Sequence, residues 1–154
     1  MYLNVEKGGM MLSDILFLER MSEVNNVNNW ETAIEIATKP LIDDGSVRCE
    51  YVNDMISSIN KFGPYIVIDD YIAIPHAISE ENVNKQSMSL LSIKEPVDLL
   101  GNPVKLFIVL APEDRDGHMQ SLAELSELLM DEEKKDVFIN GSLQEINELI
   151  KKGA

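Results

Sequence analysis

Cysteine occurs once, at Cys49. A lone thiol excludes an intrachain disulfide framework, and the reducing cytoplasm is the expected setting. Bases are scarce as well: 13 lysines and arginines stand against 27 acids, for a net charge of −14. None of them clusters with aromatics, which excludes a nucleic-acid surface. So acidic a body favours encounters with basic patches on protein partners, mainly through association rate. No apolar run reaches the roughly 18 residues of a membrane span. The longest clean run, residues 106–111, has the length of a buried strand. The amino terminus has no basic segment followed by an apolar stretch, so secretion is not expected. Glycines in the patterns of a phosphate loop, a dinucleotide site or a nucleophile elbow are absent. Histidine is restricted to His76 and His118.

What remains is an ordinary globular composition, 45% apolar and 26% charged, in a chain of one-domain size. Residues 1–11 hold no packed element and read as a disordered leader before a single domain at 12–154. Codons for Glu6-Lys7-Gly8-Gly9 can spell a ribosome-binding sequence, which makes Met10 or Met11 a candidate translation start. Asn28-Asn29 offer an N-cap to a helix carrying Trp30, Ile34, Ala37 and Leu41 on one face, stopped by Asp43-Asp44-Gly45. A second helix carries Val52, Met55, Ile56 and Ile59, and Gly63-Pro64 ends it.

Helix then gives way to strand. Residues 65–68 and 71–74 are β-prone runs around Asp69-Asp70, either two strands or one hairpin. Serine alternates with apolar residues over 86–93, residues 94–103 read as a connection, and 104–110 is apolar enough to be central in a sheet. Met119, Leu122, Leu125 and Leu129 mark an amphipathic helix, Asp131 opens another turn, and Ser142 with Glu145 forms a capping box before Ile146, Leu149 and Ile150. Helices, then strands, then helices predict an α/β fold with a covered sheet.

Two histidines arriving at separate element ends suit phosphoryl transfer, acid–base work or metal binding. Zinc takes three or four protein ligands, so His76 and His118 would have to recruit acids. Asp43-Asp44, Glu80-Glu81 and Glu132-Glu133 belong most simply to loops, caps and solvated faces, and Cys49, near a helix start, to a small buried hydrophobe. Taken alone, each histidine also has an ordinary reading, His76 in a loop and His118 near a helix amino end.

The text around them decides. Gly63-Pro64-Tyr65-Ile66-Val67-Ile68, followed by Ile72-Ala73-Ile74-Pro75-His76-Ala77, resembles the active-site signature of the enzyme IIA domains of the bacterial sugar phosphotransferase system, mannitol/fructose superfamily, and within it the ascorbate-type branch. Trp30-Glu31-Thr32-Ala33, Tyr51-Val52, residues 90–97, Pro103-Val104 and the place of His118 ahead of Leu122 and Leu125 extend the resemblance from about Leu12 to the C-terminus.

The resemblance implies a mixed β-sheet flanked by helices on both faces. It implies that His76 takes a phosphoryl group from the phosphocarrier protein HPr and passes it to a cysteine of the cognate EIIB, upstream of a membrane EIIC. No metal or organic cofactor is implied, and no membrane insertion of this chain. The attacking nitrogen would be Nε2, with Nδ1 bonded to protein, and His118 would hydrogen-bond the phosphoryl oxygens beside a helix amino terminus. Asp70 matches an acid found before the active histidine in mannitol-type members, and reads equally well as a turn residue.

Two departures stand out. Ile78 occupies the place of an arginine typical of ascorbate-type members, and Ser58 that of an arginine in the second helix of mannitol-type members. The sugar stays open among ascorbate, a related pentose-like acid and a polyol such as galactitol. A regulatory, nitrogen-type IIA-like protein is the alternative function, and a metal-dependent or purely binding module a third.

Overall fold

The computed structural model describes residues 10–113 and 119–153. Strands β1 (Met21–Val24), β2 (Val67–Asp69), β3 (Tyr71–Ala73), β4 (Ser87–Leu99) and β5 (Asn102–Ala111) form one sheet in the order β1-β4-β5-β3-β2. The pairings β1/β4 and β3/β5 are parallel, whereas β4/β5 and β2/β3 are antiparallel, so the sheet is mixed. Its apolar run at 104–110 lies on β5, the central strand, as a strand covered on both faces should.

Alternation along the strands divides the core in two. Leu91, Ile93, Phe107 and Val109 face one cluster with helices α2 (Trp30–Asp43) and α3 (Glu50–Phe62), through Ala33, Ile34, Ala37, Tyr51, Met55 and Ile59. Met88, Leu90, Leu106, Ile108 and Leu110 face the other. There they meet α1 (Leu12–Ile15), α4 (Met119–Met130), α5 (Glu132–Asn140) and α6 (Leu143–Lys152). Helices therefore cover both faces. None of the described helices is long and apolar enough to cross a membrane.

The local signals act where they were read. The Asn29 side chain accepts from the Thr32 N–H at 2.8 Å to start α2. Gly63, at φ 87, closes α3 in the left-handed region that glycine adopts without cost. Ser142 and Glu145 exchange their bonds at 3.1 and 2.8 Å to open α6. Asp131 accepts from the N–H groups of Glu133 and Lys134 at the start of α5.

Two expectations need correction. Residues 94–103 are not a connection: β4 runs on to Leu99 and β5 begins at Asn102, leaving only Leu100-Gly101 as the turn, both at positive φ. The ladder shifts register between Ser92 and Val97, and within that stretch Lys94, Glu95 and Pro96 are exposed. This accounts for their loop-like composition. Cys49 is exposed at the start of α3 rather than buried. Of the leader expected at 1–11, residues 1–9 lie outside the described residues; the Met11 N–H donates to Asp14 at 3.0 Å and the Leu12 N–H to Glu124 of α4 at 2.9 Å.

Candidate functional site

Residues 74–77 leave β3 as an irregular segment beside the C-terminal end of β5. The segment has no ladder of its own, so its backbone polar groups need other partners. The Ile74 N–H donates to Ile66 O at 2.8 Å, and Pro75 O accepts from the Leu110 N–H at 2.9 Å. His76 O accepts from the Tyr65 hydroxyl at 2.6 Å. The Ala77 N–H donates to the Tyr51 hydroxyl at 3.3 Å, and that hydroxyl donates onward to Leu110 O at 2.7 Å. Four consecutive residues are thus tied to the β2 side, the central strand and α3.

The imidazole of His76 is half-buried. Its Nδ1 lies 2.9 Å from Ile74 O. A carbonyl only accepts, so Nδ1 carries the hydrogen, and in the neutral ring the lone pair resides on Nε2. The Tyr65 ring stands against the imidazole with centroids 5.2 Å apart and planes at 86°, an edge-to-face contact.

Burial raises the Tyr51 hydroxyl well above its ordinary value of 10.0; the hydrogen bond with Ala77 opposes this without reversing it. Tyr65 is raised too, again by burial, against a hydrogen bond from Ser58 that lowers it. Both phenols therefore stay protonated and able to donate at neutral pH. The sequence did not single out either tyrosine as a site residue. Their partners are backbone atoms of distant segments, which no side-chain motif records.

A groove of about 310 Å³ opens next to His76, lined by α3 (Asp54, Ser57, Ser58, Lys61, Phe62) and by Ala77, Ile78 and Ser79. Ser58 and Ile78 both line it. Ile78 is 66% exposed and Phe62 57%, an apolar rim in reach of an approaching protein.

Asp70 is elsewhere. It occupies the turn between β2 and β3 beside a cavity of about 460 Å³ lined also by Asn102 and Pro103. Tyr71 pairs with Val104, whereas Pro75 bonds Leu110. These pairings put Asp70 and His76 at opposite ends of β3. Asp70 is exposed there, next to the Asp69–Lys135 pair at 3.0 Å, and its turn reading is the one the geometry favours. The structure does not bring it to the histidine. His118 lies outside the described residues, immediately before α4.

The His76 imidazole is thus half-buried, in a fixed tautomer, on a segment held by its neighbours and beside a groove with an apolar rim. Comparison with known proteins gives the class. Residues 16–153 match the family described as phosphoenolpyruvate-dependent sugar phosphotransferase system, EIIA 2. The mannitol-specific cryptic phosphotransferase enzyme IIA component of Escherichia coli is 31% identical over 147 residues, 94% of this chain and 100% of the relative. Its solution structure superposes with a TM-score of 0.85 over the same shares. The ascorbate-specific EIIA component of Mycoplasma pneumoniae is 34% identical over 106 residues, 67% of each chain. The E. coli complex of mannitol enzyme IIA with phosphorylated enzyme IIB shares the fold at 24% identity, with a TM-score of 0.72 over 87% of this chain and 95% of that one. This chain belongs to the EIIA type 2 family, and its role is that of a phosphoryl carrier in sugar phosphotransfer.

Proposed function

We propose that His76 Nε2 is the atom that carries the phosphoryl group, receiving it from phosphorylated HPr and passing it to a cysteine of a cognate EIIB that serves a membrane EIIC. One observation carries the reading: the Nδ1–H to Ile74 O bond at 2.9 Å, which leaves the lone pair of the ring on Nε2. In the receiving step a bond forms between Nε2 and phosphorus while the donor's N–P bond breaks, and the donor imidazole keeps that electron pair. The proton on Nδ1 stays in place. His76 becomes cationic as the bond forms, and the Ile74 carbonyl, already aimed at Nδ1–H, meets the developing charge. The handing-on step is the reverse at Nε2, with the cysteine thiolate as the new nucleophile.

The phosphoryl dianion needs donors of its own. His118 is assigned that part, with the amino end of the helix that follows it. Since Ser58 and Ile78 replace the arginines found in relatives, the dianion is held with less fixed positive charge, and docking beside His76 relies more on apolar contact with Ile78 and Phe62. No cofactor or metal takes part, and the reaction belongs to the cytoplasm, where phosphoenolpyruvate is made and used.

The test is reconstitution with phosphoenolpyruvate, enzyme I and HPr, followed by intact mass. One acid-labile phosphoryl group on wild type and none on folded His76→Ala is expected. His118→Ala should still accept the group and hand it on slowly; transfer to EIIB at the wild-type rate would remove His118 from the mechanism. A wild type that stays unphosphorylated would overturn the whole reading.

A further inference from the structure

Fixing the tautomer of His76 does not by itself fix the ring in space. The Nδ1–H bond to Ile74 O is internal to residues 74–77, so ring and carbonyl can move together unless the segment is anchored from outside. Tyr65 supplies an anchor at the histidine itself, since one side chain holds the His76 carbonyl at 2.6 Å and sets its ring against the imidazole at 86°. Tyr65 is in turn well placed to be stiff. Its N–H bonds Gly63 O at 2.8 Å, the adjacent Ile66 carbonyl receives the Ile74 N–H, and its ring packs on the core beneath α3.

We propose that Tyr65 is a positioning residue for phosphoryl transfer, holding the His76 ring so that Nε2 meets phosphorus in line. This rests on His76 being the carrier. In-line transfer through a loose transition state depends on alignment more than on covalent assistance, and a displacement of about 1 Å is enough to slow such a step about 100-fold.

The test combines single-turnover phosphorylation by phosphorylated HPr with 15N and 1H NMR of the His76 ring. Tyr65→Phe keeps the ring contact and loses the donor, and its maximal rate should fall about five- to tenfold, the equivalent of one hydrogen bond. Half-saturation by HPr should stay within about twofold, as for an interaction used in the transition state. Tyr65→Leu, which loses both contacts, should fall about 100-fold. In the unphosphorylated protein, the His76 Nδ1–H signal should be sharp in wild type and broadened in Tyr65→Phe. A general loss of stability moves none of these signatures selectively, and thermal melting of each variant checks it.

A phosphorylated wild type matched by Tyr65→Phe in both rate and ring signal would sink this proposal alone, as would a loss confined to half-saturation. An unphosphorylated wild type would sink the reading of His76 together with this proposal, even if the Tyr65→Phe ring signal still broadens.

Discussion

Nδ1 of His76 sits 2.9 Å from the carbonyl oxygen of Ile74, two residues earlier in the chain. Pro75 between them makes this local bond accessible, because its ring restricts φ and biases Ile74 toward extended backbone. The neutral imidazole is therefore expected as the Nδ1–H tautomer before any phosphoryl group arrives. Long-range 1H–15N correlation spectra at pH 8 check this; a ring dominated by Nε2–H would contradict it.

Tyr51 is fully buried and serves Leu110 O and the Ala77 N–H with one hydroxyl. Tyr51→Phe leaves both groups wanting a partner, and a cost of about 1–3 kcal/mol is expected. Denaturant unfolding measures it. Phosphoryl acceptance should fall as well, since Ala77 follows the histidine directly.

Alkali tests the same hydroxyl. The folded pKa of Tyr51 is raised above 10.0 by burial, so the native state holds the proton where the unfolded chain releases it. Stability from this group is complete below about pH 10 and declines as pH rises from there toward the folded value. The decline should be shallower in Tyr51→Phe than in wild type.

Arg20, only 6% exposed, is expected to be the main polar determinant of stability remote from the site. Its guanidinium bonds Asp44 at 3.0 Å, Ile15 O at 2.7 Å and the Ser46 hydroxyl at 2.9 Å, and stacks 4.6 Å over Phe17. Arg20→Met should cost about 2 kcal/mol, less than a fully buried pair because water reaches Asp44. Burial pushes the Asp44 carboxyl up, but hydrogen bonds from Ser46 and Arg20 outweigh it and hold the group below 3.8. Its contribution is present above about pH 4 and is lost as pH falls through the lowered value. Acid unfolding of Arg20→Met should lose part of that sensitivity, with phosphoryl acceptance at pH 7 retained.

Ile78→Arg adds a cation to the groove beside His76. Association with phosphorylated HPr at low salt should change by several-fold and the difference should shrink as salt screens it. Stopped-flow transfer at two ionic strengths reads this directly; equal rates at both would separate Ile78 from the docking surface.

Much of this architecture was legible because its signals are local. Asn29, Gly63, Asp131 and Ser142 each act on backbone within a few residues, and the apolar run at 104–110 declares a doubly covered strand. β1 was not legible: Met21–Val24 is an edge strand of four residues whose parallel pairing to 90–93 is purely tertiary. The arm at 94–99 was missed because a register shift at 92–97 leaves Lys94, Glu95 and Pro96 facing water in a row, which erases strand alternation. At the site, Pro75-His76 announced itself through residue type and position. Tyr51 and Tyr65 did not, since what they hold are main-chain atoms at Leu110, Ala77 and His76. Asp70, close to His76 in sequence, is carried away from it by an extended strand.

The most direct measurement is 31P–15N coupling in the phosphorylated protein, labelled at histidine. The account predicts a single phosphoramidate on Nε2 of His76, with the proton still on Nδ1. Phosphorus on Nδ1, or on any other residue, would contradict it.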